Sequence, residues 1–163
     1  MKTLLLMRHA KSSWDDPQMA DQNRPLNKRG KRDAPRMGRL IREEGLLPDI
    51  ILSSTALRAR MTAEAIIDQS AYQGETIYLD ELYMAEPEAY LNAIRGLPEE
   101  CESALLIGHN PGMETLVEKL SGKPRAIPTA TLAYFALPIQ LWQDLNEETK
   151  GKIVYLWRPR ELP

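Results

Sequence analysis

The chain has 163 residues, 43% of them hydrophobic and 27% charged, which fits one globular domain with a sizeable core and excludes a disordered, collagenous or membrane-spanning polypeptide. Lys and Arg number 21 against 23 Asp and Glu, a net charge of −2, so no global excess of positive charge recommends a nucleic-acid or anionic-lipid partner. The single Cys101 excludes an internal disulfide framework and a cysteine zinc site, and the apolar run near the start, Leu4 to Met7, is shorter than a signal peptide requires; the cytoplasm is the expected compartment.

Short continuous apolar runs alternate with longer amphipathic stretches, the pattern of an α/β protein with buried parallel strands covered by helices. Leu4–Met7 is the first strand and stops at Arg8-His9. The polar stretch from Asp15 to Lys28 reads as a loop lying over the top of that strand. A helix follows to Glu44, with Asp33 expected as its N-cap, so that Pro35 falls in the first turn and Gly45 supplies the stop. Its basic residues, Lys28, Arg29, Lys31, Arg32, Arg36, Arg39 and Arg42, read either as a solvated face or as a recognition patch for an acidic protein. Asp49 to Leu52 forms a second strand, and a helix runs from about Ala56 to Gln69. Thr76 to Leu79 is a third strand, and Pro87 opens a short helix ending near Gly96. Ala104 to Ile107 is the clearest central strand, with Asn110 as N-cap and Pro111 at the first position of a helix reaching about Leu120. Runs at Leu132–Leu137 and Ile153–Trp157 complete the sheet, with an amphipathic segment around Ile139 to Leu145 between them.

The chain has only two histidines, and each follows directly on an apolar strand: His9 after Met7-Arg8, His109 after Ile107-Gly108. In open parallel sheets ligands bind outside the carboxyl ends of the strands, so both fall where a site would form. Arg8 brings a permanent cation to the same place, and Arg58 lies near the start of the helix after the second strand. Helix N-termini near Ala56 and Pro111 add backbone donors suited to an anion. Arginine forks match phosphate oxygens, and a neutral imidazole held through one nitrogen is a nucleophile at the other, so the set suits phosphoryl chemistry.

Competing chemistries lack their residues. The chain has no glycine-rich phosphate loop with its Lys, no dinucleotide fingerprint and no His-Glu-x-x-His pair. A metal held by His9, His109 and a carboxylate would be opposed by the neighbouring arginines, so neither a metal nor a cofactor is expected. Cys101 lies among Glu99, Glu100 and Glu102, which disfavours a thiolate nucleophile.

Three segments resemble the motifs of the histidine phosphatase superfamily, also called phosphoglycerate mutase-like. Arg8-His9-Ala10-Lys11-Ser12 is similar to its Arg-His signature, Ser54-Thr55-Ala56-Leu57-Arg58-Ala59 with Thr62-Ala63 to its second arginine motif, and Gly108-His109-Asn110-Pro111-Gly112 to its second-histidine motif. The short length and Arg24-Pro25-Leu26-Asn27-Lys28-Arg29-Gly30 make the chain most similar to phosphohistidine phosphatases of the SixA type, over nearly all of residues 1–163.

The resemblance implies a three-layer α/β/α sandwich with a mostly parallel sheet, one domain with no separate cap, and metal-independent phosphoryl transfer. It implies His9 as the nucleophile that becomes phosphorylated, with Arg8, Arg58 and a protonated His109 binding the phosphoryl oxygens. The expected substrate is a histidine-phosphorylated protein, a phosphotransfer domain or phosphocarrier, met by a monomer without nucleic acid or membrane. The alternatives are a phosphatase of small phosphate esters using the same site, or a phosphoprotein-binding module without turnover. Broad-specificity relatives and mutases carry Gly and Glu after the Arg-His pair, where this chain has Ala10 and Lys11. Those relatives also use a carboxylate to protonate an oxygen leaving group, for which the nearest candidate is Glu81, whose other reading is a solvent-exposed loop residue. Trp14, five positions after His9, is the tryptophan placed to line a pocket mouth.

Overall fold

A computed structural model describes residues 1–163. Six strands form one sheet in the order β3-β2-β4-β1-β5-β6. They are β1 (Lys2–Arg8), β2 (Ile50–Ser54), β3 (Glu75–Leu79), β4 (Ser103–Gly108), β5 (Leu132–Leu137) and β6 (Lys152–Trp157). The first four pair in parallel, whereas β5 runs antiparallel to β1 and β6 antiparallel to β5. The helices are α1 (Lys28–Glu43), α2 (Leu57–Ser70), α3 (Pro87–Arg95) and α4 (Gly112–Ser121).

The continuous apolar runs are explained by burial on both sheet faces, since successive strand side chains point to opposite sides. Leu4, Leu6, Leu52 and Leu106 pack with Tyr90, Ile94, Met113 and Leu116 of α3 and α4. Leu5, Met7, Ile51 and Leu105 pack with Met37 and Ile41 of α1 and Ile66 of α2. Two helical layers thus enclose the sheet, giving the three-layer α/β/α sandwich. Leu4 to Met7 have no exposed surface at all, and truncating any one of these leucines would cost about 2–5 kcal/mol. No helix is long and apolar enough to cross a membrane.

Two helix starts differ from the sequence reading. Helix α1 begins at Lys28, where the Asn27 side chain accepts the Gly30 N–H at 2.9 Å. Asp33 is therefore not a cap but a buried residue of the second turn, paired with Arg29, Arg32 and Arg36. Pro35 sits inside the helix, where it removes one backbone bond. The buried face of Ala34, Met37, Gly38 and Ile41 offsets that loss, because it is the face that packs on α2. Helix α4 begins at Gly112, one residue later than expected, after a cis Asn110-Pro111 peptide. Asn110 still contributes, its Oδ1 accepting the Glu114 N–H at 3.2 Å.

The polar stretch before α1 folds back over the end of β1, as expected of it. Ser13 N–H donates to the Pro25 carbonyl at 2.8 Å and Asn27 N–H to the Lys11 carbonyl at 3.0 Å, and a short 3-10 turn at Asp21–Asn23 faces α2.

Candidate active site

The strands β2, β4 and β1 are adjacent and parallel, so their carboxyl ends lie side by side. Arg8 is in register with Gly108, and the His9 N–H donates to the Gly108 carbonyl at 3.0 Å. This places His9 and His109 next to each other, with ring centroids 5.0 Å apart. Ser54 ends β2, and Arg58 follows as the second residue of α2. Arg8, His9, Arg58 and His109 all line one cleft of about 220 Å³, so the four residues singled out from sequence are brought together. A larger hollow of about 540 Å³ lies between α1 and β6 and contains neither histidine, so convergent chemistry marks the site and size does not.

His9 is fixed through one nitrogen. Its Nδ1 lies 2.7 Å from the Ala10 carbonyl, which only accepts, so the proton resides on Nδ1 and Nε2 keeps its lone pair. The Ala10 peptide is itself pinned: its N–H donates to Thr62 Oγ1 at 3.0 Å, and that hydroxyl donates to the Arg58 carbonyl at 2.7 Å. The Thr62 of the second arginine motif thus orients His9 through Ala10. Burial, helped by the neighbouring charges of Arg58 and Arg8 and by the repulsion His109 would exert if protonated, lowers the His9 pKa to about 3 despite the opposing hydrogen bond to Ala10. The ring is neutral at pH 7, as a nucleophile requires.

His109 is held by two other groups. Its Nε2 lies 2.7 Å from Ser54 Oγ, which also accepts the Ala56 N–H at 3.2 Å. Ser54 Oγ keeps a second lone pair and its own proton, so it can partner Nε2 as donor or acceptor, and the bond sets the orientation of the ring. That Nδ1 is buried and meets no protein partner. The His109 backbone is anchored by Tyr90, whose Oη accepts the His109 N–H at 3.0 Å. Burial, then the charges of Arg58 and Arg8, lowers the His109 pKa to about 4 despite the opposing Asp21. At pH 7 the ring is therefore neutral, where the sequence leads one to expect it protonated, and desolvation is the chief reason.

Arg58, 3% exposed, donates to the Asp21 carbonyl at 2.7 Å and to Asp21 Oδ2 at 2.9 Å. Asp21 also accepts from Tyr83 and from Arg24. The Tyr83 hydroxyl and then the two arginines hold its carboxyl well below the usual range, which keeps it ionised. Arg24 continues to Ser12 Oγ at 2.6 Å, with its guanidinium carbon 3.2 Å from the ring centroid of Trp14. Trp14 stands at the cleft mouth, as the sequence suggested, and is 71% exposed. Arg8 donates to the Ile127 carbonyl at 3.3 Å, while its buried Nε meets no protein partner.

Lys11 lines the cleft. Glu81 does not: it is exposed on a 3-10 turn and outside the cleft. No three His, Cys, Asp or Glu side chains gather as a metal site. The Cys101 thiol is pushed up by burial and by Asp49 and Glu100, and lies at the far, amino end of β4. Sequence reasoning missed Asp21, Tyr83 and Tyr90 as parts of the site, and Ser54 was read only as a motif position. Asp21 carries no signal in a polar loop; its role exists only because the loop folds back onto α2.

Comparison with known proteins agrees with this geometry. The family model of the histidine phosphatase superfamily (branch 1) matches residues 4–83. An uncharacterized protein of Mycobacterium leprae is 32% identical over 162 residues, covering 91% of this chain and 98% of that protein. A candidate phosphohistidine phosphatase SixA from Agrobacterium tumefaciens superposes with a TM-score of 0.84 at 32% identity, covering 97% of this chain and 98% of that one. A protein histidine phosphatase SixA solved with tungstate shares the fold, with a TM-score of 0.83 at 24% identity over 99% of both chains. The motifs on three adjacent strand ends and the match along the whole chain agree, and the chain belongs to the SixA-type group of the histidine phosphatase superfamily and is a phosphatase.

Proposed function

We propose that this phosphatase removes phosphate from phosphohistidine in a protein, through a phosphorylated His9 and without a metal. His9 Nε2 attacks phosphorus in line, forming an N–P bond as the bond to the substrate imidazole breaks. Charge spreads over the three equatorial oxygens, where Arg8 and Arg58 supply fixed positive charge and the His109 ring a further polar contact. Water then attacks phosphorus, the Nε2–P bond breaks, and orthophosphate leaves with His9 restored. The SixA names of the full-length neighbour and of the tungstate-bound protein support the same substrate class.

One observation carries the choice of substrate. Asp21 is the sole carboxylic residue lining the cleft, and its hydrogen bonds to Tyr83, Arg24 and Arg58 keep it ionised. The cleft therefore offers no carboxylic acid to protonate an alkoxide. The imidazole of phosphohistidine takes a proton from solvent on its distal nitrogen and departs as the neutral ring, so it needs a positioned carboxylic acid less than an alkoxide does, which favours it over an alkyl ester.

The test follows phosphate release from a histidine-phosphorylated carrier protein, an alkyl phosphate and an aryl phosphate, with chelator present, using wild type and His9→Ala. The reading expects fast turnover of the phosphoprotein, slow turnover of the alkyl ester and loss of activity in His9→Ala. Efficient turnover of the alkyl ester alone would replace it with a small-ester phosphatase, and turnover of nothing would favour a binding module.

A further inference from the structure

Charge is distributed very unevenly in this chain. Helix α1 carries seven Lys or Arg and two acidic residues, a net of +5, in a protein whose total is −2, so the remaining residues carry −7. Lys28, Lys31, Arg32, Arg39 and Arg42 are exposed. Their offsets from Lys28 of 3, 4, 11 and 14 residues place them on one stripe opposite the buried face of Met37 and Ile41. At 1.5 Å per residue the stripe is about 21 Å long.

The stripe begins at the active-site cleft. Asn27 N–H donates to the Lys11 carbonyl, and a Cβ at Gly30 would overlap that same carbonyl oxygen, so the first turn of α1 abuts the loop that follows His9. Arg29 of that turn donates to Thr129 Oγ1 at 3.1 Å, and both Lys11 and Thr129 line the cleft.

A second feature sets this stripe apart from an ordinary solvated face. Lys28, Arg29 and Lys31 sit in or beside the first turn, which contains no acidic residue. Cations there oppose the helix dipole, whose N-terminus is positive. Arg29, Arg32 and Arg36 are compensated by the buried Asp33, but Lys28, Lys31, Arg39, Arg42 and the cleft residue Lys11 form no ion pair. At Lys28 and Lys31 the fold thus keeps unpaired positive charge where it is unfavourable for the helix, next to the cleft.

We propose that the α1 stripe, with Lys11, is the docking surface for an acidic protein surface around the phosphohistidine; this rests on the reading of the substrate given above. Complementary charge steers such a partner so that its phosphorylated side chain meets the cleft at the stripe's end. A nucleic acid fits less well, since a long polyanion would run onto a remaining surface that is net negative.

The experiment uses two synthetic peptides that differ only in having glutamates or lysines around one phosphohistidine, with free phosphohistidine and an aryl phosphate as controls. At low salt, wild type should favour the acidic peptide by about tenfold in kcat/KM, with the advantage shrinking as salt is raised. The double variant Lys28→Glu/Lys31→Glu should lose that preference, retain turnover of free phosphohistidine within about twofold, and melt no lower than wild type because its new charges suit the helix dipole. Equal use of both peptides by wild type, or a preference unchanged in the double variant, would overturn the docking surface while leaving the substrate reading intact. Turnover of the aryl phosphate but of no phosphohistidine compound would overturn both. Inhibition by a short DNA duplex that is lost in the double variant would assign the stripe to nucleic acid and also overturn the proposal.

Discussion

His109 Nε2 and Ser54 Oγ lie 2.7 Å apart at the ends of neighbouring strands, and this bond fixes the orientation of the His109 ring. Ser54→Ala leaves Nε2 buried without a partner and frees the ring to rotate. A loss of about 0.5–1.5 kcal/mol in transition-state binding, the worth of a hydrogen bond between neutral groups, corresponds to about 2- to 13-fold in kcat/KM. Steady-state kinetics of the folded variant check this, and an unchanged kcat/KM would remove Ser54 from the site.

Tyr90 anchors the same histidine through its backbone. Tyr90→Phe removes the acceptor of the His109 N–H, a buried group, and should cost about 1–3 kcal/mol of stability in urea denaturation. Activity should fall as well, since the His109 backbone is no longer held from α3. A variant as stable and active as wild type would show that His109 needs no such anchor.

Both histidines titrate well below the ordinary value of 6.5, His9 at about 3 and His109 at about 4. Above pH 6.5 they are neutral in folded and unfolded chains alike and contribute no pH dependence. As pH falls below 6.5 the unfolded chain takes up protons first, so stability drops until the folded-state values are reached. Asp21, depressed below its usual value, adds a further loss at lower pH as its carboxylate is protonated. Denaturation midpoints should be flat from pH 8 to 7 and decline from about pH 6.5 to 4, with the decline reduced in a His9→Gln/His109→Gln variant. A flat profile through that window would contradict the depressed values.

Glu81 is exposed and stands outside the cleft. Glu81→Gln should leave kcat/KM within about twofold of wild type on a phosphohistidine substrate and on an aryl phosphate alike. A tenfold or greater loss on an ester would show that the turn carrying Glu81 closes onto the cleft and supplies a proton.

Sequence by itself determined the layers and the reacting groups. The runs at Leu4–Met7, Ile50–Leu52 and Ala104–Ile107 can satisfy their apolar side chains only between two helical layers, and each ends in a polar motif that is stranded at the sheet's carboxyl edge. That is why Arg8, His9, Arg58 and His109 were legible, being local to strand ends. The start of α1 was not, because Asn27 and Asp33 are comparable caps and only the contact of the first turn with the loop after His9, where Asn27 N–H meets the Lys11 carbonyl, tells that the helix extends back to Lys28. Tertiary structure alone decided the protonation states and the supports. Asp21, Ser54, Tyr83 and Tyr90 act on groups 19 to 62 residues away, and desolvation of the two imidazoles arises only when β1 and β4 lie side by side. Periodicity records which face of an element is buried; it carries no trace of which polar group will meet it there.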